Sequence, residues 1–260
     1  MNKISIIMAS YNKVDFIKEA IESVIKQTYQ NFELLIVDGG STDGSLEIIK
    51  EYRSHSKIKV IVEGDNGMYH ARNKGILMST GNIIGFLNTD DFYEPKALEK
   101  INRCFQKFPN ADIVYGSMSI VNKKGVFVKE YPNAKVKTKN RIPKDKHLPD
   151  QASFILRKHI DYVGLYDLHY KIAGDWDFWQ RCIVLGLNIK SVPFKIANYR
   201  HYEDTLTFSK KHRNTRYIEK KRYYRKYNDC FISFFLIKLN FRYFIKQPFK
   251  RLFKLKKNYE

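Results

Sequence analysis

Asp90 and Asp91 stand side by side at the end of an apolar run, Gly85-Phe86-Leu87-Asn88-Thr89-Asp90-Asp91, in a chain whose formal charge is +20. Other apolar runs also end in polar groups: Asn12 soon after residues 4–9, Asp38 after 32–37, and Glu63 and Asp65 after 58–62. Unpaired acids gathered in one place repel each other and lose hydration. A divalent cation with a hydrogen-bonding ligand removes that objection, because carboxylate oxygens are the hard donors that Mg²⁺ and Mn²⁺ prefer. A second reading of Asp90-Asp91 is a solvated turn before Pro95 that caps the following helix. These residues alone leave both open.

The elements that must position these groups alternate. Residues 4–9, 32–38, 58–63 and 82–88 read as short buried strands. Between them Val14, Ile17, Ile21 and Val24 recur at helical spacing, Leu46, Ile49 and Tyr52 follow a Ser/Asp helix start, and residues 67–81 form a Gly-punctuated helical segment. Leu98, Ile101, Phe105 and Phe108 mark a further helix. This alternation predicts an α/β fold with a mostly parallel central sheet. Ligands of such sheets bind beyond the carboxyl ends of the strands, where Asn12, Asp38, residues 63–65 and residues 90–91 all fall.

With 260 residues, 43% hydrophobic and 15% aromatic, the chain can bury a full core and is no disordered polyelectrolyte. Cys104, Cys182 and Cys230 are widely spaced without a CxxC, which argues against a disulfide framework or a zinc cluster and for a reducing cytoplasm. The apolar run at the start is too short for a signal peptide, and no stretch has the length of a membrane span. Charge divides the chain: residues 209–260 carry seventeen Lys and Arg against three Asp and Glu, a net +14, which leaves +6 for residues 1–208. The expected organisation is one α/β domain over 1–208 and a basic tail over 209–260. Residues 133–150 read as a long basic loop.

The stretches SIIMASYN, FELLIVDGGSTDGS, EGDNGMYHARNKGI, GFLNTDDFY and AGDWDFWQR stand in the order and at the separations found in glycosyltransferase family 2. The resemblance covers roughly residues 3–205 and extends to bacterial members that build lipopolysaccharide O-antigen, capsule or exopolysaccharide. It implies a GT-A fold and a metal-dependent, inverting transfer of sugar from a nucleotide-sugar, a UDP-sugar by expectation. The implied acceptor is a hydroxyl of a lipid-linked, polyprenyl diphosphate glycan.

The resemblance also implies roles. Ala9, Tyr11 and Asn12 would line the base and ribose, and Asp38 would accept hydrogen bonds from the base unless it merely caps the next helix. Asp65, Asn66, Gly67 and Arg72 match the segment that contacts nucleotide and donor sugar, with Lys74 near phosphate. Asn88-Thr89-Asp90 occupies the position of the DxD motif but departs from it at Asn88, which supplies no charge. Asp90, helped by Asp91, would then anchor Mg²⁺ or Mn²⁺. Asp175 maps onto the general base, with Gly174 where relatives carry Glu; the alternative makes Asp175 and Asp177 ordinary helix-start acids. Trp176 and Trp179 would offer surfaces for sugar stacking, Asp150 and Gln151 would touch donor or acceptor, and His201 would contact diphosphate or metal. His70 receives no role.

In the tail, Phe234, Ile237, Phe241 and Phe244 fall on one helical face amid Lys and Arg, the pattern of a basic amphipathic helix in a membrane interface. That places the protein peripherally on an anionic surface, the inner face of the bacterial cytoplasmic membrane. The alternative is a helix folded against the domain. Nucleic-acid binding has only the charge and eighteen tyrosines behind it, so no nucleic acid is expected as partner. No GxGxxG follows the first strand, which argues against a hydride-transferring nucleotide enzyme.

Overall fold

The structure is a computed structural model that describes residues 2–64, 66–131, 148–203, 205–206 and 209–228. It begins with a repeated strand–helix unit: β1 (Ile4–Ser10), α1 (Ile17–Ile25), β2 (Phe32–Asp38), α2 (Ser45–Glu51), β3 (Ile58–Val62), α3 (Met68–Met78) and β4 (Ile83–Phe86). β1 pairs in parallel with β2 and β4, and β2 with β3, so the strands lie in the order β3-β2-β1-β4 with their carboxyl ends on one edge.

Continuous apolar runs suit these strands because both faces are covered. Ile4, Ile6 and Met8 of β1 pack with Ile17, Ile21 and Val24 of α1 on one face. Ile7, Leu35, Ile84 and Phe86 pack with Tyr69 and Ile76 of α3 on the other. Every residue of β2 is buried.

The second half extends the same sheet: β5 (Phe92–Tyr93), α4 (Ala97–Lys107), β6 (Ile113–Val121), β7 (Phe127–Glu130), β8 (Ser153–Leu156), α5 (Ile160–Val163), α6 (Gly174–Val184), β9 (Ile189–Arg200) and α7 (Arg213–Asn228). β8 lies antiparallel between β4 and β6, while β9 runs parallel to β6 and antiparallel to β5. The expected α/β architecture is present. Two details differ from the sequence reading. β4 stops at Phe86; Leu87 N–H still donates to the Ile7 carbonyl of β1 at 3.1 Å, and Asn88 begins a turn in which Asp91 N–H donates to its carbonyl at 3.2 Å. Phe108, expected on the buried face of α4, is the half-buried residue that ends it.

α7 lies against α6: Tyr223 and Glu219 are buried, and Tyr223 OH lies 3.1 Å from Gln180 Oε1. Asp65, most of the loop expected over 133–150, and residues 229–260 with the amphipathic pattern fall outside the described residues. Among the described residues no helix is long and apolar enough to cross a membrane.

Candidate active site

A crevice of about 940 Å³ opens at the carboxyl ends of β1 and β4. Its wall brings together twelve of the expected residues, from distant parts of the chain: Ala9 at the end of β1 and Tyr11 just after it, Asn66 and Gly67 before α3 and Arg72 within it, Asn88, Thr89 and Asp90 after β4, Asp150 and Gln151 before β8, and Asp175 and Trp176 at the start of α6. Gly67 precedes α3 with φ 110°, a left-handed conformation that favours glycine.

Arg72 is the buried hinge of this wall. Its Nη2 donates to Asp150 Oδ2 at 2.7 Å and to Asn88 Oδ1 at 2.9 Å, and Nη1 lies 3.3 Å from Tyr166 OH. Asp150 accepts from Trp179 Nε1 at 2.9 Å through its other oxygen. Asn88 in turn donates to Asp91 Oδ2 at 3.1 Å. The amide that replaces the first acid of the expected motif therefore bridges a guanidinium and a carboxylate, which a second carboxylate could not do without charge repulsion.

Asp90 turns to the crevice and Asp91 away from it. Asp90 Oδ2 lies 3.1 Å from Lys13 Nζ and 3.0 Å from Tyr202 OH, while Oδ1 has no hydrogen-bond partner among the described residues. Asp91 is buried, and its Oδ1 accepts from Arg200 N–H at 2.8 Å. Burial, and then the neighbouring Asp90 charge, raises the Asp91 carboxyl well above the ordinary range. Among the described residues no three His, Cys, Asp or Glu side chains gather to hold a metal. Asp90 alone, a hard carboxylate with one oxygen unengaged, fits an ion that takes its remaining ligands from substrate phosphates and water, the usual arrangement for Mg²⁺.

Asp175 occupies the first turn of α6, half-buried at the crevice wall. Burial, and next the Asp150 carboxylate, pushes its carboxyl up to about 7, against the lowering influence of Arg72 and of the Tyr69 hydroxyl. Tyr69 OH lies 3.1 Å from Asp175 Oδ1 and donates to the Ile172 carbonyl at 2.7 Å. Gly174 makes room for this: a Cβ there would lie 2.7 Å from the Tyr69 ring. A side chain at 174, as the expected glutamate would be, has no space beside that ring.

Other expected residues lie off the crevice wall. Asp38 is buried and accepts from the N–H groups of Gly40 and Ser41 and from Ser41 Oγ, folding the turn after β2 onto itself. Asn12 Oδ1 accepts from Thr42 N–H at 2.9 Å. Lys74 pairs with Glu63 at 3.0 Å. His201 is exposed beyond β9. Trp179, expected as a stacking surface, is instead 1% exposed, because it shares the inner face of α6 with Phe178, Cys182 and Ile183.

Sequence reasoning missed Lys13, Tyr202 and the contribution of α7. His212 and Thr215 line the crevice. Glu219 accepts from the N–H groups of Lys171, Ile172 and Ala173 at 2.7–2.9 Å, directly before Asp175. Asp177, fully buried, is held by Lys226 Nζ at 2.6 Å, Tyr227 OH at 2.8 Å and Arg181 Nε at 2.8 Å. The sequence signal was Glu219, Tyr223, Lys226 and Tyr227 at one-turn and two-turn spacing.

The parallel strands β3-β2-β1-β4 thus carry a crevice at their carboxyl edge with acids at two of its walls. The chain belongs to glycosyl transferase family 2, whose sequence profile matches residues 5–164. It is 29% identical over 204 residues to a PGL/p-HBAD biosynthesis glycosyltransferase of Mycobacterium bovis, covering 76% of this chain and 73% of that one. It is 30% identical over 204 residues to an uncharacterized glycosyltransferase of Methanocaldococcus jannaschii, covering 76% and 70%. Among solved structures, S. aureus TarS 1-349 in complex with UDP-GlcNAc superposes with a TM-score of 0.67 at 22% identity, over 78% of this chain and 60% of that one. The mannosyltransferase PcManGT of Pyrobaculum calidifontis, in complex with GDP-Man and Mn²⁺, superposes with a TM-score of 0.60 at 16% identity, over 80% and 59%. The chain thus spans about 60% of the length of these structural neighbours, and the shared fold is GT-A.

Proposed function

We propose that this family 2 enzyme moves a sugar from a nucleotide-sugar, a UDP-sugar, to a hydroxyl of a lipid-linked glycan, with inversion at the anomeric carbon. One observation carries the reading: a half-buried carboxyl, Asp175, stands at the wall of the same crevice as Asp90 and Lys13, 3.1 Å from the Tyr69 hydroxyl, where burial pushes the carboxyl up to about 7. A base of that strength accepts a proton efficiently near neutral pH. The acceptor oxygen attacks the anomeric carbon opposite the diphosphate, its proton passes to Asp175, and the nucleoside diphosphate departs with the bonding pair. Arg72 holds Asn88 and Asp150 in place around the donor. A Mg²⁺ or Mn²⁺ held by Asp90 would supply charge neutralisation for the leaving diphosphate.

The UDP-sugar assignment is supported by the UDP-GlcNAc complex of TarS, and the lipid-linked acceptor by the sequence pattern of residues 229–260, basic and aromatic at helical spacing. Each cation near an anionic leaflet contributes on the order of 1 kcal/mol, so the tail would hold the enzyme peripherally at the cytoplasmic face where lipid-linked glycans are built. O-antigen, capsule or exopolysaccharide synthesis is the corresponding role. A panel of UDP-, GDP- and dTDP-sugars with Mn²⁺, scored for nucleotide release, tests the donor. EDTA should silence the preferred donor reversibly, and full activity in EDTA would remove the metal from this account.

A further inference from the structure

Lys13 stands on a stretch of backbone that is sewn in place. Its N–H donates to Ser45 Oγ at 2.7 Å, the preceding Asn12 N–H donates to Ser41 Oγ at 2.9 Å, and Val14 N–H donates to Asp43 Oδ2 at 2.9 Å. Asn12 itself adopts φ 50°, an uncommon conformation for a residue with a side chain. The loop after β1 is thereby fastened to the loop after β2, and it aims one flexible ammonium into the crevice.

That ammonium closes a triangle. Lys13 Nζ lies 3.1 Å from Asp90 Oδ2 and 2.7 Å from Tyr202 OH, and Tyr202 OH lies 3.0 Å from the same Oδ2. The Lys13 and Asp90 side chains are 26% and 15% exposed, so the pair faces the crevice and an incoming ligand can reach it. A divalent ion on a carboxylate oxygen sits about 2 Å from it. With that ion on the unengaged Oδ1, the ammonium on Oδ2 of the same carboxylate becomes a like charge only a few Å away, in a partly desolvated place where such repulsion is poorly screened. A diphosphate between the two removes the conflict, since it offers oxygens to both.

We propose that Lys13 is the resident counter-charge of Asp90 when the crevice is empty, and that it transfers to the donor diphosphate when a divalent ion takes Asp90. Ion and nucleotide then enter together, and free ion binds poorly. The four-carbon stem of lysine allows the swing while Ser45 holds the backbone. This rests on the reading that the crevice receives a nucleoside diphosphate.

The test is a titration of the full chain with Mn²⁺, followed by electron paramagnetic resonance, with and without UDP, and with GDP in parallel. Lys13→Met keeps the aliphatic stem and Lys13→Arg keeps the charge. Without nucleotide, Lys13→Met should bind Mn²⁺ at least tenfold more tightly than wild type, and Lys13→Arg should behave as wild type. At saturating Mn²⁺, UDP should bind Lys13→Met about tenfold more weakly than wild type. Equal Mn²⁺ affinity of wild type and Lys13→Met without nucleotide, or unchanged UDP affinity at saturating Mn²⁺, overturns the inference. A wild-type protein that binds neither UDP nor GDP under any condition overturns the nucleotide-sugar reading itself, which separates the two failures.

Discussion

The Tyr69 hydroxyl lies 3.1 Å from Asp175 Oδ1 and 2.7 Å from the Ile172 carbonyl, so one side chain of α3 grips both the acid and the turn that presents it. The phenol carries a single proton. Turned to the ionised Asp175 that proton steadies the base, and turned to the Ile172 carbonyl it leaves the phenol oxygen to accept from Asp175 once the carboxyl is protonated. Tyr69→Phe should therefore lower kcat about tenfold or more while leaving nucleotide-diphosphate affinity within a few-fold. Steady-state kinetics with a nucleotide-binding isotherm check the split; an equal loss in both would make Tyr69 a general structural residue.

The strength of Asp175 sets a pH profile. A base works deprotonated, so kcat/KM should rise with pH and level off above about 7. Burial is the first cause of that raised value and the Asp150 carboxylate the second. Asp150→Asn removes the like charge and frees Arg72 to favour the Asp175 anion, so the acidic limb should move about one pH unit lower. A limb that stays in place would detach it from Asp175.

The same shift has a stability consequence of known sign. Because the Asp175 carboxyl in the fold titrates at about 7 against an ordinary 3.8, the folded protein holds an extra proton between those values. Folding stability is then lost as pH rises through that window. Asp175→Asn should accordingly raise the melting temperature at pH 8, by a stabilisation on the order of 1 kcal/mol or more, and do little at pH 4. Calorimetry at the two pH values decides; a drop at pH 8 would mean the carboxylate is stabilised where it stands.

Helix α7 belongs to the catalytic body by its contacts. Glu219→Ala strands three backbone N–H groups before α6, at about 1–3 kcal/mol for a buried unmet donor. Deletion of residues 209–260 also strips Lys226 and Tyr227 from Asp177. That truncation should lower the melting temperature by about 5 °C or more and abolish transfer. Deletion of residues 229–260 alone should leave the melting curve in place and lose sedimentation with anionic liposomes. Retained liposome binding in the shorter chain would assign the membrane affinity elsewhere.

Much of the first half was legible in the sequence because its signals are local. Residues 6–9 and 34–37 are apolar without interruption, as strands covered on both faces tend to be, and the chain turns polar where each strand ends. Asp90 was singled out in that way and Asp175 through the family resemblance, and both line the crevice. Asp91 was not separable from Asp90, since which of two adjacent acids turns inward is decided by Arg200, 109 residues later. Trp179 carried the aromatic character of a sugar platform, yet three residues along α6 from Trp176 it turns to the core, while Trp176 stays at the wall. Lys13 was hidden for a related reason: it meets Tyr202 across 189 residues, a pairing that no window of sequence contains.

The central claim is that Asp175 takes the acceptor proton during an inverting transfer. The most direct measurement gives wild type and Asp175→Asn the same α-linked nucleotide-sugar and acceptor, and reads the product anomer and nucleotide affinity side by side. The account predicts a β-linked product from wild type, loss of transfer by a hundredfold or more in Asp175→Asn, and nucleotide affinity within a few-fold of wild type. An α-linked product, or Asp175→Asn turning over at the wild-type rate, would contradict it.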